Sequence, residues 1–152
     1  MRIMGLDYGA RTVGVALSDE LLVTAQPKEI VRRDRENKLR RTLARIEELI
    51  REEQVGAIVC GLPLNMDGTE GERARLASDF AETLHRRTGL PVFMQDERLT
   101  TVESDEIMDS MGIRAEDRKK YVDMIAANVI LQEFMENHPD EMAGWRGAPP
   151  LR

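Results

Sequence analysis

Four acidic residues stand where they could act together on a charged substrate. Asp7 lies between two short apolar runs, Asp96-Glu97 closes a third, and Asp123 interrupts a fourth. Asp123 is the sharpest case, because Tyr121-Val122 precede it and Met124-Ile125-Ala126-Ala127 follow it. An unpaired carboxylate buried in such a stretch is costly, so it calls for a partner. A hard divalent cation, Mg²⁺ or Mn²⁺, is the simplest partner, and it needs only oxygen ligands. Held by converging carboxylates, such ions support phosphodiester hydrolysis by activating a water and stabilising the leaving oxygen. The other positions also have structural uses: Asp is common in a Gly-containing turn, and an acid ahead of a helix complements its dipole. His85 and His138 show no metal-ligand spacing. The single cysteine, Cys60, sits in Ala57-Ile58-Val59-Cys60 and reads as a buried hydrophobe.

Whether these acids can meet depends on the elements that carry them. Arg2 to Leu6 and Thr12 to Leu17 are strand candidates joined by Asp7-Tyr8-Gly9-Ala10-Arg11, short enough for an antiparallel hairpin. Part of Leu22 to Val31 makes a third strand, which Pro27 marks as an edge or an interruption. Asp34 offers an N-cap for a helix running to about Gln54, with Leu39, Leu43, Ile46 and Leu49-Ile50 at helical spacing. Ala57 to Gly61 reads as a buried strand, and Leu62 to Gly71 as a loop. A second helix carries Leu76, Phe80 and Leu84 and stops near Gly89, before a strand at Val92 to Gln95. Thr100 or Thr101 can cap a third helix to about Met111, and Tyr121 to Asn137 reads as a fourth. The order βββαβαβαα predicts an α/β fold with a mixed five-stranded sheet, three antiparallel strands and then crossovers, flanked by helices. If the later strands run parallel to the first, Asp7 and Asp96-Glu97 emerge at one edge, where α/β sheets usually bind ligands. A carboxylate from the last helix could join them there.

Composition sets the outer bounds. The 152 residues, 41% of them hydrophobic, fit one domain over 1–137, followed by a loosely held tail over 138–152. No apolar run reaches the roughly 20 residues of a membrane span, and the N-terminus lacks a signal-peptide pattern, so a cytoplasmic protein without membrane contact is expected. A net charge of -6 argues against indiscriminate nucleic-acid binding, although local charge decides. Basic residues gather at Arg32 to Arg41, at Arg73, Arg75, Arg86 and Arg87, and at Arg114 to Lys120. The first two groups read as solvated faces. The third stands just before Asp123, which makes Arg118, Lys119 and Lys120 candidate phosphate contacts. Arg11 and Arg98 are candidates beside the acids, and Asn65 and Thr69 could bond phosphate or sugar oxygens if the loop covers substrate. That loop reads equally well as a flexible connection.

Four motifs in order carry a resemblance. Gly5-Leu6-Asp7-Tyr8-Gly9 with Val13-Gly14-Val15-Ala16, Gly61-Leu62-Pro63-Leu64-Asn65-Met66-Asp67-Gly68-Thr69, Asp96-Glu97-Arg98-Leu99-Thr100-Thr101 and Val122-Asp123-Met124-Ile125-Ala126-Ala127 are together similar to the YqgF family. Its members are described as pre-16S rRNA nucleases or Holliday junction resolvase-like proteins. The resemblance spans roughly residues 3–136. It implies an RNase H-like fold and a divalent-metal nuclease with Asp7, Glu97 and Asp123 as catalytic ligands. It points to 5′-end maturation of precursor 16S rRNA in ribosome biogenesis, with four-way DNA junctions as the alternative substrate. A symmetric cut of a junction would favour a homodimer.

Two other classes compete. Asp7-Tyr8-Gly9-Ala10-Arg11-Thr12 also resembles the phosphate hairpin of actin-like ATPases and sugar kinases, but those proteins close two related domains and this chain has room for one. A non-catalytic RNA-binding protein is the other, and the intact acidic trio speaks against it. Tight ATP binding without cleavage would favour the first, and metal-independent RNA binding without cleavage the second.

Overall fold

Alternating apolar residues build one sheet with two covered faces. The computed structural model describes residues 1–65, 67–97, 106 and 108–148. Its strands are β1 (Arg2–Tyr8), β2 (Thr12–Ser18), β3 (Ala25–Arg32), β4 (Val55–Leu62) and β5 (Val92–Asp96). They are ordered β3-β2-β1-β4-β5. β1 pairs antiparallel with β2, and β2 antiparallel with β3. β4 runs parallel to β1, and β5 parallel to β4. Four strands therefore point the same way, and the carboxyl ends of β1, β3, β4 and β5 share one edge. This is the mixed five-stranded sheet expected from the sequence. Pro27 sits on the edge strand, where the register shifts between its partner Ala16 and Val15. A residue lacking an N–H is tolerated at such a bulge.

The described helices are α1 (Arg40–Glu52), α2 (Glu72–Thr88), α3 (Arg118–Asn137) and α4 (Pro139–Trp145). Leu43, Ile46 and Leu49 of α1 and Phe80 and Leu84 of α2 bury one sheet face with Met4, Leu6, Val13 and Val15. On the other face Ala127, Ile130, Leu131 and Phe134 of α3 pack on Ile3, Ala16 and Val59. Each large side chain of α3 stabilises this contact by roughly 1.5–3 kcal/mol. Gly5 permits it: a Cβ there would lie 2.7 Å from Leu131 Cβ and 2.8 Å from the Ala127 carbonyl oxygen. α2 ends at Gly89, whose φ of 72° is left-handed.

Two expectations change. α1 begins at Arg40 with Leu39 as its N-cap, not at Asp34. The backbone of Arg33 instead prolongs the sheet, donating its N–H to the Arg11 carbonyl at 2.8 Å, and Lys38 N–H closes a turn onto the Arg35 carbonyl at 3.1 Å. Beyond His138, where the sequence suggests a loosely held tail, α4 is docked: Met142 is buried, and the Trp145 ring lies 5.7 Å from Phe93. The Met1 ammonium donates to the Ala148 carbonyl at 2.9 Å, which ties the start of β1 to the segment after α4. The helix predicted from Thr100 or Thr101 to Met111 lies largely outside the described residues. No described helix is long and apolar enough to cross a membrane.

Candidate active site

Side chains alternate along β1, so Leu6 and Tyr8 face α1 and α2 while Asp7 faces α3. Asp7 is opposite Gly14 on β2. The backbone of α3 lies directly on that glycine, where a Cβ would overlap the carbonyl oxygen of Asp123. Glu97 arrives from the other side. It follows β5, its N–H donates to the Leu62 carbonyl at 3.0 Å, and its carboxylate sits over Gly61, where a Cβ would come within 2.8 Å of Oε2. Asp7, Glu97 and Asp123 thus meet at the carboxyl edge of the sheet, from a strand, a strand end and a helix.

Their electrostatics follow from this crowding. Desolvation raises the Asp7 pKa well above its ordinary 3.8, and the nearby charges of Glu97 and Asp123 raise it further, while Arg73 works the other way. Desolvation also raises Glu97. Asp7 and Glu97 are hydrogen-bonded to each other. Two carboxyl groups so placed cannot both ionise readily. Within the pair the mutual bond raises Asp7 and lowers Glu97, so Asp7 is the more readily protonated of the two. Asp123 has its own donor, for Thr12 Oγ1 donates to Asp123 Oδ2. Cys60, beneath this pair on the opposite face, has its thiol pushed up by burial and stays protonated.

Among the described residues, no three His, Cys, Asp or Glu side chains stand in an arrangement that could hold a metal ion together. Asp7 and Glu97 are bonded together, and Asp123 is turned onto Thr12. The donor chemistry nevertheless suits a hard cation, since every group is a carboxylate oxygen, and burial, with neighbouring negative charge, raises the pKa of Asp7 and Glu97.

The other candidates are dispersed. Arg11 is exposed on the β1–β2 hairpin, and Arg118 pairs with Asp109 at the start of α3. Lys119 and Lys120 follow in the first turn of α3. Asn65 and Thr69 bond each other at 3.1 Å, and Thr69 donates to Asp67 at 2.6 Å, so the loop organises its own polar groups. Arg98 lies outside the described residues.

Two neighbours of the acids, Thr12 and Arg73, and a third residue, Arg33, on the far side of the sheet do not stand out in the sequence. Thr12 holds Asp123. Arg73 lies 5.8 Å from the Tyr8 ring centroid and bonds Glu36. Arg33 lies 4.8 Å from the same ring, which itself stacks on Phe80 at 4.5 Å. Arginine in the first turn of α2, against the helix dipole, is the available signal for Arg73.

Known proteins share this sequence and shape. The family described as "RuvX: Holliday junction resolvase" matches residues 1–137. A Lachnospira eligens protein named "Putative pre-16S rRNA nuclease" is 58% identical over 137 residues, covering 90% of this chain and 98% of that protein. One of the same name from Agathobacter rectalis is 59% identical over 136 residues, covering 90% and 95%. Among solved structures, the Thermus thermophilus RuvC complex with a Holliday junction superposes with a TM-score of 0.58 at 15% identity, covering 91% of this chain and 96% of that one. That likeness establishes the RNase H-like fold alone. The match over residues 1–137 and the near full-length relatives together place this chain in the RuvX Holliday junction resolvase family.

Proposed function

We propose that this protein is a divalent-metal-dependent nuclease hydrolysing phosphodiester bonds, with Asp7, Glu97 and Asp123 as the cation-binding carboxylates. The observation that carries this reading is the Asp7–Glu97 carboxyl pair at the carboxyl edge of the sheet, with Asp123 brought beside it by the contact of α3 on Gly14. A bound Mg²⁺ or Mn²⁺ supplies activation of a water and neutralisation of charge on the phosphate. The chain's own part is to present Asp7 ionised, to turn Asp123 from Thr12, and to keep Glu97 fixed through the Leu62 carbonyl. Arg73 lowers the Asp7 pKa and so favours the ionised form that takes a cation. Arg11, Arg98, Arg118, Lys119 and Lys120 are proposed phosphate contacts, with Asn65 and Thr69 at the loop.

The relatives named for pre-16S rRNA support precursor rRNA as the substrate, and the family description makes the four-way DNA junction its competitor. Purified protein with Mg²⁺ or Mn²⁺ should cut precursor rRNA and leave a synthetic junction intact. Cutting of the junction alone would reverse the substrate assignment. Cutting of neither, in both metals, would reject the nuclease reading.

Gly61 gives a selective probe. The Cβ of Gly61→Ala would meet Ile130 Cδ1 at 2.5 Å and Glu97 Oε2 at 2.8 Å, both ends of side chains that can move. The fold should survive with a loss of about 1 kcal/mol or less, while displacement of Glu97 should slow cleavage on the order of a hundredfold. Thermal melting and single-turnover cleavage measure the two effects. Wild-type cleavage by this variant would mean that the position of Glu97 is unimportant.

A further inference from the structure

The carboxyl edge of β3 carries a concave feature, on the same sheet edge as Asp7. A cavity of about 550 Å³ opens between the end of β3 and the start of α1. Arg32, Arg33, Lys38, Arg40 and Arg41 line it, and Asp34 is the one acidic residue among its lining. α1 begins here without a side-chain cap at Leu39 and without an acidic residue in its first turn. Its first N–H groups therefore lack an intrahelical partner, and they favour negative charge. The sequence instead places Arg40 and Arg41 at this positive end, which opposes the dipole. Such local conflict is expected where function overrides stability.

Arg33 is the second, independent observation. It is only 9% exposed. Its Nη2 donates to the Gly9 carbonyl at 2.6 Å and its Nε to the Glu36 carbonyl at 3.2 Å. Nη1 is buried with no hydrogen-bond partner among the described residues. A buried guanidinium with one nitrogen unsatisfied has given up hydration without full return. An anion in the cavity supplies counter-charge to this guanidinium and to Lys38, Arg40 and Arg41 around it, in the manner of helix N-termini and arginine clusters that hold phosphate.

Placement selects the source of that phosphate. β3 and β1 are separated only by β2, so their ends stand roughly 10 Å apart from strand spacing. The Arg33 side chain also grips the hairpin that follows Asp7. We propose that this cavity is a phosphate subsite for the nucleic acid, taking a backbone phosphodiester a few nucleotides from the bond that is cut. The subsite rests on the nuclease reading given above.

The test uses the full-length protein, isotope-labelled, and follows the amides of residues 40–42 and the Arg33 Nε–H by NMR. Three probes are titrated without divalent metal: a short single-stranded RNA with a 5′-hydroxyl, the same RNA with a 5′-phosphate, and inorganic phosphate. The 5′-hydroxyl RNA should shift these signals. In Arg40→Gln/Arg41→Gln its affinity should fall on the order of tenfold, and the slope of log affinity against log salt should flatten by about 0.7 for each lost phosphate contact. The melting temperature of that variant should hold or rise, because charges opposing the helix dipole are gone. Shifts produced only by inorganic phosphate or only by the 5′-phosphate would overturn a backbone subsite, as would an unchanged salt slope. If RNA moves these signals but the protein cuts neither substrate, the cavity binds backbone phosphate, while the nuclease reading, and with it the cavity's place beside a cut bond, falls. If the variant keeps cutting and its salt slope is unchanged, the nuclease reading stands and the subsite falls.

Discussion

Asp7→Asn should fold, bind nucleic acid and lose metal-dependent cleavage on the order of a thousandfold or more. In the metal-free protein the raised pKa of Asp7 favours its protonated form beside Glu97, and an asparagine amide can donate in the same place. The amide cannot ionise, so it offers no charge to a cation. A divalent ion at a hundred times its Kd should stabilise the wild type by about 2.7 kcal/mol. For a domain of this size that corresponds to a rise of about 5–10 °C in melting temperature. The rise should largely vanish in Asp7→Asn.

The pH dependence has a defined sign. Because the folded-state pKa of Asp7 is raised, the folded protein binds more protons than the unfolded chain between the ordinary 3.8 and the raised value. The stability this contributes is fully present below 3.8 and is lost as pH rises through the folded pKa. Without metal, Asp7→Asn should therefore gain on the wild type as pH rises. With metal the order reverses, since protons and cation compete for the same oxygens. A melting series from pH 4 to 8, with chelator or with Mg²⁺ or Mn²⁺, separates these effects. Equal metal-induced shifts in both proteins would remove Asp7 from the cation site.

Gly14→Ala should be severely damaging, for its Cβ makes the closest approach among the glycines whose surroundings are described. Its Cβ would overlap a backbone carbonyl of α3, at Asp123, and backbone cannot rotate aside as a side chain can. Overpacking typically costs about 1–3 kcal/mol and sometimes more. The expected loss in melting temperature is about 5–10 °C. Relief of the overlap lifts Asp123 from beside Asp7, so cleavage should fall together with stability, unlike in Gly61→Ala. A Gly14→Ala protein that melts with the wild type and cuts at its rate would show that the close approach of α3 is dispensable.

Much of this architecture is legible in the sequence because it rests on local signals. The hairpin at Asp7 to Arg11, the left-handed stop at Gly89 and the buried run at Ala57 to Gly61 each follow from turn chemistry or alternation. Shared strand direction then puts Asp7 and Glu97 at one edge. The features that are not legible depend on partners distant in the chain. Asp34 has the side chain of an N-cap, but Arg33 is drawn into the sheet by Arg11, and the helix starts later. The segment after His138 is polar in composition, yet Met142 and Trp145 find apolar surface far upstream, at Phe93 among others. Arg33 reads with its charged neighbours as solvated, although alternation from the buried Val31 places it on the covered face. Thr12 carries no signal of its own, since its role arises only when Asp123 descends onto β2.

The dependence of the site on α3 also has a consequence in time. Asp7 and Glu97 are translated well before the end of α3 at Asn137, and α3 is the element that lays Asp123 on β2. At about 5–20 residues per second, the growing chain spends several seconds with two carboxylates made and the third undocked. During that interval Ile3, Ala16 and Val59 lack their cover, because α3 supplies it. A chain interrupted before α3 would therefore carry an open apolar sheet face and an incomplete acidic cluster. Synthesis in order from the N-terminus thus delays assembly of the three-carboxylate site until the chain has been made as far as Asn137.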